Sequence, residues 1–202
     1  GFTSINLTTN STTNQIIITT GDLITGDLFW RGLAGGGTDS TWNASLNNWS
    51  QDKGNTTLAT TIPGQGTDVI FAIDSASGAV ATTLEQNFKI NSLTFEAGTS
   101  TPASVTIGSG AVSTNRLEVA PQNNTDGVAI TAGGPASVTI SAPFRLGTDQ
   151  TWTVADSASV LTISGALLGD KQVVKTGSGK VILSAASDPT FNGSGGANFT
   201  VN

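Results

Sequence analysis

Cysteine, histidine, tyrosine and methionine are all absent from this sequence of 202 residues. Without cysteine, the chain can form neither a disulfide framework nor a reactive thiolate. Without histidine, it lacks the commonest general base, the commonest metal ligand and the usual side chain for a switch near neutral pH. These absences remove most of the chemistry on which enzymes and metalloproteins depend.

Charge is also scarce. Charged residues make up 11% of the chain, against about 25% in an average globular domain. The formal net charge is -6, and the 8 Lys and Arg residues are spread along the sequence. Nucleic acids and anionic membranes are recognised by clustered basic side chains, so we expect neither as a partner. No run approaches the roughly 18 apolar residues of a membrane helix, so we expect no membrane insertion.

The beginning of the chain bears on its location. The first residue is Gly1 rather than methionine, and no signal peptide follows it. A processed secreted protein has this appearance, and so does a trimmed one. The lack of disulfides does not argue for the cytosol, because many extracellular bacterial proteins have none. We therefore expect a secreted, extracellular or cell-surface protein.

The sequence is rich in Thr, Ser, Asn and Gly placed between regularly spaced aliphatic residues. Thr favours the extended backbone, and Asn and Gly favour tight turns. Helical periodicity is nearly missing, whereas short runs alternate aliphatic and hydroxyl side chains. Disordered chains lack this regular spacing. The pattern predicts an all-β protein.

The segments predicted as strands recur roughly every ten residues from about residue 93 onward, as in sandwiches, barrels and solenoids. They are residues 15–19, 68–72, 89–95, 104–107, 117–120, 128–130, 137–140, 152–154, 160–163, 173–175, 180–183 and 199–201.

A repeated hexapeptide helps to choose among these architectures. Pro-Ala-Ser-Val-Thr-Ile occurs at residues 102–107 and again at 135–140, and a related segment, Ala-Ser-Val-Leu-Thr-Ile, follows at 158–163. Repeated strands are expected where successive coils stack like upon like. We predict a right-handed parallel β-helix, a form of solenoid, with a β-sandwich as the alternative.

Alternation within these strands also predicts which side chains face the interior, because successive side chains of a strand point to opposite faces. The expected interior residues are Val105, Ile107, Val138, Ile140, Leu161, Ile163, Val181 and Leu183.

Residues 30–66 have a different composition. Three of the four tryptophans, Trp30, Trp42 and Trp49, lie here among glycines and asparagines. We interpret the segment as an irregular or β-hairpin cap that places tryptophans over the open end of the core. The functional alternative is a glycan contact, in which Trp30, Trp42 and Trp49 stack on sugar rings.

Acidic residues give little support to a catalytic interpretation. Polysaccharide lyases and glycosidases need clustered carboxylates, often with Ca²⁺. The carboxylates here are scattered singly, mostly beside Gly, Ser or Thr, where Asp usually stabilises a turn. They include Asp22, Asp27, Asp39, Asp52, Asp68, Asp74, Glu85, Glu96 and Glu118. Gly-Asp-Leu occurs twice, at Asp22 and Asp27, without the spacing of a known calcium motif. We expect no catalytic residue, no cofactor and no metal.

The sharpest motif lies in the C-terminal half. Residues 173–184 read Val-Val-Lys-Thr-Gly-Ser-Gly-Lys-Val-Ile-Leu-Ser. Gly177 and Gly179 suit a corner between two strands, because glycine allows positive φ and close backbone approach. On this interpretation Val174 faces the interior with Val181 and Leu183, while Lys175 and Lys180 stay in water.

This motif resembles the autotransporter-associated β-strand repeat, whose pattern is an aliphatic residue, Lys, and two glycines separated by small residues, followed by alternating aliphatics. The Asn-Trp-Ser, Ser-Leu-Thr-Phe and Gln-Thr-Trp-Thr-Val segments at residues 48–50, 92–95 and 150–154 also resemble secreted proteins of that family. The resemblance covers roughly residues 30–193. It implies a parallel β-helix and export to the bacterial surface or beyond, and it implies no catalytic residue. Only one clear copy of the repeat is present, and no C-terminal outer-membrane barrel follows it.

Two regions are expected. Residues 1–28 match no known pattern and form an N-terminal strand extension, and residues 29–202 form one β-helix-like domain with its Trp-rich cap at 30–66. Residues 197–202 still alternate like a strand where the sequence stops. We therefore expect self-association head-to-tail, in which an N-terminal strand is added to the last coil of a neighbour. The alternative is that the sequence is a piece of a longer passenger that continues with a further coil.

The leading functional hypothesis is a non-enzymatic extracellular structural protein, a subunit of a fibre or matrix or a passenger-like module. A glycan-binding adhesin is the alternative, and a polysaccharide lyase or glycosidase is the third.

Overall fold

The computed structural model describes residues 5–10, 15–20, 25–32, 40–42, 46–72, 78–98, 101–122, 126–185 and 199–201. In this part of the chain the regular structure is β-strand, apart from one 3₁₀ turn at Leu46–Asn48. This confirms the all-β prediction.

The strands are short, and most follow one another after a few residues. Those in the first part of the chain are β1 (Ile5–Asn10), β2 (Gln15–Thr20), β3 (Thr25–Trp30), β4 (Trp49–Ser50), β5 (Gly66–Phe71), β6 (Ala79–Thr83), β7 (Phe88–Ile90), β8 (Ser92–Phe95) and β9 (Ser104–Gly108). Those in the second part are β10 (Leu117–Val119), β11 (Asp126–Ile130), β12 (Ser137–Ile140), β13 (Phe144–Leu146), β14 (Gln150–Val154), β15 (Val160–Ile163), β16 (Leu167–Leu168), β17 (Val173–Thr176), β18 (Lys180–Leu183) and β19 (Phe199–Val201).

Four sheets are formed by the described strands. The hairpin β1–β2 is antiparallel and makes a two-stranded sheet of its own. The eight-stranded sheet has the order β19-β17-β14-β11-β8-β5-β3-β4, the five-stranded sheet β18-β15-β12-β9-β6, and the four-stranded sheet β16-β13-β10-β7. All pairs within the three larger sheets are parallel except β3–β4. Mostly parallel pairing is thereby established, and it differs from the antiparallel sheets of a sandwich.

From β7 to β18 the chain visits the three larger sheets in a fixed cycle. Each strand of the four-stranded sheet is followed by one of the eight-stranded sheet and then by one of the five-stranded sheet. Corners between them can be very short. The predicted strand 89–95 is two strands, because Asn91 alone separates β7 from β8, which lie in different sheets.

The repeated hexapeptides lie side by side. β9 and β12 pair in parallel with Ser104 opposite Ser137 and Ile107 opposite Ile140. β15 continues the ladder, with Ile163 opposite Ile140. Identical residues therefore occupy equivalent positions on neighbouring strands.

Six of the eight predicted interior residues are confirmed. Each of these six side chains is at most 1% exposed, and they are Val105, Ile107, Val138, Ile140, Leu161 and Ile163. In β18 the prediction is wrong for Leu183, which is 40% exposed, and Val181 is only partly buried. These two continue the rows of Leu161 and Ile163, and β18 is the last strand of its sheet, so neither is covered by a further strand of this sheet.

The prediction for β17 is also wrong by one residue. Lys175 is 6% exposed and stands opposite Trp152 in the ladder, whereas Val174 is only partly buried. Lys175 Nζ donates a hydrogen bond to the Gly177 carbonyl oxygen, so the ammonium group has an acceptor although its stem is buried. Lys180 is exposed, as expected.

The glycine corner after β17 has the expected geometry. Gly177 has φ +78°, and a Cβ there would collide with the Val154 carbonyl oxygen. A Cβ at Gly179 would collide with the Val154 side chain. Glycine at both positions lets the corner between β17 and β18 pack directly on the end of β14, where Val154 lies.

Candidate functional site

The eight-stranded sheet ends in a cluster of rings, which we call the aromatic cap. Its members are Trp30, Trp42, Trp49, Phe71 and Phe88. Trp49 crosses Trp30 at 5.0 Å between ring centroids and Trp42 at 5.2 Å, in both cases edge to face. Trp42 also meets Phe88 edge-on at 5.4 Å. Such arrangements are the favoured geometry for aromatic pairs.

Three separate elements bring the tryptophans together. Trp30 ends β3 and stands opposite Trp49 of β4 in the antiparallel ladder. Trp42 is held by its backbone N–H, which donates to the Thr83 carbonyl oxygen at 2.8 Å. Asn48 Nδ2 donates to the Thr41 carbonyl oxygen at 2.8 Å and joins the two loops.

Burial decides between the two interpretations of these tryptophans. Trp30 is 3% exposed, and Trp42 and Trp49 are fully buried. A sugar platform needs a ring face open to solvent. The geometry therefore favours the packing interpretation of Trp30, Trp42 and Trp49, and nothing in it supports a glycan contact.

A hairpin over residues 49–59 covers the outer edge of β3. The Gln51 N–H donates to the Thr57 carbonyl oxygen at 2.8 Å, and the Ala59 N–H donates to the Trp49 carbonyl oxygen at 3.0 Å. Ser50 and Leu58 form an antiparallel bridge. This segment, which we call the cap hairpin, lies within residues 30–66, for which an irregular or hairpin cap was expected.

Asp52 organises the turn of the cap hairpin. Its carboxylate accepts hydrogen bonds from the N–H groups of Thr56 and Thr57 at 3.0 and 2.7 Å, and from the Thr56 hydroxyl at 3.0 Å. These bonds, that from the Thr56 N–H foremost, hold the pKa of Asp52 below its usual value. Lys53 ties the turn to the body of the protein, because its Nζ donates to the Ala97 carbonyl oxygen at 2.7 Å and lies 3.4 Å from Glu96.

The opposite end of the five-stranded sheet has no comparable cover among the described residues. β18 pairs with β15 on one side only. Ile182 is 45% exposed and Leu183 is 40% exposed. The outward position that Ile182 holds is Thr in the three preceding strands, at Thr106, Thr139 and Thr162.

Several of the described carboxylates that were predicted to be structural have structural partners. Glu118 lies between Lys89 and Arg145 on neighbouring strands, at 3.0 and 3.5 Å. Glu85 accepts hydrogen bonds from the Thr83 hydroxyl at 3.0 Å and from the Ala111 N–H at 3.3 Å. Asp22, Asp39 and Asp74 lie outside the described residues.

One acidic pair is brought together. Asp27 of β3 stands opposite Asp68 of β5. Asp68 accepts hydrogen bonds from Asn91 Nδ2, at 2.7 Å, and from the Ser92 hydroxyl. Partial burial, and then the charges of Asp68 and Glu96, raise the pKa of Asp27. Within the described ranges no three acidic side chains come close enough together to hold a metal ion.

Known proteins give no further guidance: no family profile, no curated protein and no solved structure matches the chain at a significant level. In the part of the chain that the structure describes, no helix has the length and hydrophobicity needed to cross a membrane.

Proposed function

We propose that the three parallel sheets are the faces of a right-handed parallel β-helix. Support comes from the fixed cycle in which the chain visits them between β7 and β18. The side-by-side placement of the repeated hexapeptides fits stacking of one coil on the next. The resemblance of residues 173–184 to the autotransporter-associated repeat favours the same architecture.

The function that fits this architecture best is that of a non-enzymatic, extracellular structural protein of bacteria, a subunit of a fibre or matrix. A surface built from Thr, Ser and Asn with few charges suits a secreted β-protein, as does the family resemblance. The acidic side chains at Asp68, Glu85 and Glu118 are engaged in hydrogen bonds or ion pairs that stabilise neighbouring strands. They are thereby occupied in ways that do not favour catalysis.

The observation that carries the proposal is the difference between the two ends of the sheets. One end is closed by the aromatic cap and the cap hairpin, and the other presents exposed aliphatic side chains on β18. When two unlike ends of one molecule meet, the contact repeats from copy to copy and builds a filament unless the rotation between copies closes a ring. We therefore propose head-to-tail assembly of identical subunits.

Electron microscopy and sedimentation velocity of the intact chain over a range of concentrations test this function. We expect filaments, or oligomers that grow with concentration. A variant lacking residues 1–20 should keep its β circular dichroism spectrum and fail to elongate. An intact chain that stays monomeric at high concentration contradicts the proposal.

The glycan-binding and catalytic alternatives gain no support. The tryptophans that would stack on a sugar are buried, and in the acidic pair Asp27 and Asp68 the Asp68 carboxylate accepts hydrogen bonds from Asn91 and Ser92.

A further inference from the structure

Leu183, one of the exposed aliphatic residues of β18, continues a row that is buried in the three preceding strands of its sheet. Leu183 follows Ile107, Ile140 and Ile163, each at most 1% exposed, in the ladder of the five-stranded sheet. Leu183 itself is 40% exposed. In the earlier strands the next strand of the sheet covers this position, and among the described residues no further strand pairs with β18.

The edge of β18 carries little protection against pairing. Natural edge strands are usually guarded by charged side chains, by proline or by a covering segment. In β18 the only charge is Lys180, at the start of the strand, and there is no proline. In the eight-stranded sheet, by contrast, the cap hairpin covers the edge of β3 through β4.

The hairpin β1–β2 also has no neighbouring strand among the described residues. It forms a separate two-stranded sheet, and an isolated two-stranded hairpin is at best marginally stable in water. Neither strand contains a charged residue or a proline, and β2 includes the run Ile16, Ile17 and Ile18. Each strand is six residues long, enough to pair along the whole of the four-residue β18.

We infer that the β1–β2 hairpin of one copy adds to the free edge of β18 in a second copy, where it covers Ile182 and Leu183. This contact extends the five-stranded sheet by main-chain hydrogen bonds, the mode known as β-augmentation. The hairpin gains the third strand that it needs, and β18 gains the neighbour that every earlier strand of its sheet has. The inference rests on the proposed head-to-tail assembly and names the surfaces that make it.

Cysteine cross-linking tests the contact directly, because the chain has no cysteine of its own. One preparation carries cysteine in place of Ile16, Ile17 or Ile18, three consecutive positions that sample both faces of β2. The second carries Ile182→Cys. A disulfide requires the two Cα atoms to lie within about 7 Å, so only paired strands will cross-link efficiently. We expect a covalent heterodimer from at least one mixture, and none when Val112→Cys replaces Ile182→Cys.

Val112 is the matched control, since it is 51% exposed and lies in the turn after β9, where the neighbouring Ala111 N–H contacts Glu85, away from β18. In the full-length protein, Ile182→Asp and Leu183→Asp should each raise the protein concentration needed for assembly at least tenfold. Ile182→Asp should leave the melting temperature of the monomer unchanged, and Leu183→Asp should lower it only slightly. Val112→Asp should assemble as the unaltered chain does.

The remaining outcomes separate this inference from the proposed function. If the β18 variants assemble normally and no heterodimer forms, the inference is overturned while head-to-tail assembly stands. If a chain carrying both Ile17→Cys and Ile182→Cys closes an internal disulfide at high dilution, the hairpin covers its own β18, and the second copy is ruled out. If the unaltered chain never assembles, both the contact between the hairpin and β18 and the proposed head-to-tail assembly are wrong.

Discussion

The two ends of the sheets, a closed end at the aromatic cap and an open end at β18, are both built from β-strands but differ in their side chains. At the closed end, three tryptophans from separate segments converge with Phe71 and Phe88, and all five rings are at most 3% exposed. At the open end, β18 holds Ile182 and Leu183, which are 45% and 40% exposed. The central strands between them have buried aliphatic rows and outward Thr or Ser.

The difference shows what is needed to terminate a stack of strands. A strand in the middle is covered by its neighbours, so aliphatic rows such as Ile107, Ile140 and Ile163 are buried there. A terminal layer has no neighbour on one side, and large rings with about 150–250 Å² of surface each can fill the space beside it. The closed end has that filling and a hairpin over its edge, whereas the described residues of the open end have neither.

The largest expected effect is in the middle of the stack. Ile140→Asp should prevent stable folding, because it removes about 1.5–3 kcal/mol of aliphatic burial and places an unpaired charge in the core. The neighbouring Thr139→Asn, which faces outward, should change the free energy of unfolding by no more than about 0.5 kcal/mol. Circular dichroism with thermal melting checks both. A folded Ile140→Asp protein with an unchanged melting temperature would show that the interior face is wrongly assigned.

A smaller effect separates the two ends. Trp42→Ala should reduce the free energy of unfolding by about 3–5 kcal/mol, because it empties the centre of the aromatic cap. Leu183→Ala should cost under about 1 kcal/mol in the monomer, since much of that side chain is already in water. Urea unfolding at concentrations too low for assembly measures both. Equal losses would mean that the ends are not built differently.

The turn of the cap hairpin gives a pH-dependent effect. The hydrogen bonds to Asp52 lower its pKa in the folded state, so the stability that they contribute is present above the usual value of 3.8 and is lost as the pH falls through the lowered one. Asp52→Asn should therefore lower the melting temperature at pH 7, and the difference from the unaltered chain should disappear in strong acid.

Asp170 provides the control for that comparison. Its pKa is also lowered, mainly by a hydrogen bond from Lys171, but the pair lies on the surface and holds no turn of the cap hairpin. Exposed ion pairs contribute little to stability, so Asp170→Asn should leave the melting temperature nearly unchanged. A larger loss in Asp170→Asn than in Asp52→Asn would contradict the role given to the cap hairpin.

The smallest effect has the opposite sign. Burial and the charges of Asp68 and Glu96 raise the pKa of Asp27, so its ionisation destabilises the folded state as the pH rises from 3.8 through the raised value. Asp27→Asn should stabilise the protein at pH 7 by less than about 0.5 kcal/mol, and the gain should vanish below pH 3.8. Destabilisation at pH 7 would show that Asp27 makes a favourable contact that outweighs the repulsion.

Much of the fold could be predicted from the sequence because alternation and repetition are strong local signals. The repeated hexapeptides correctly placed Val105 and Ile140 inside. The missed strands include Trp49–Ser50, Phe144–Leu146 and Leu167–Leu168, where two or three residues seldom show a period, and also the longer Ala79–Thr83. β3 was also missed, and it runs across the boundary expected at residue 28.

The errors at the open end have a physical origin. In Val173-Val174-Lys175 either valine can begin an inward row, and a shift by one residue exchanges the two faces. Pairing with β14 selects Val173 and Lys175 as the buried residues, which only the neighbouring strand determines. A signal for the open end was present in the sequence, because Ile182 replaces the outward Thr of the earlier repeats.

The most direct test of the central claim, that unlike ends join one molecule to the next, is fibre diffraction or electron cryo-microscopy of the assembled intact chain. If the sheets of successive subunits are continuous, the strands lie across the filament and give a strong repeat of about 4.8 Å along its axis. The eight strands of the longest sheet then set a subunit rise on the order of 40 Å. Filaments with the 4.8 Å repeat perpendicular to their axis, or closed dimers joined through like ends, would contradict the account.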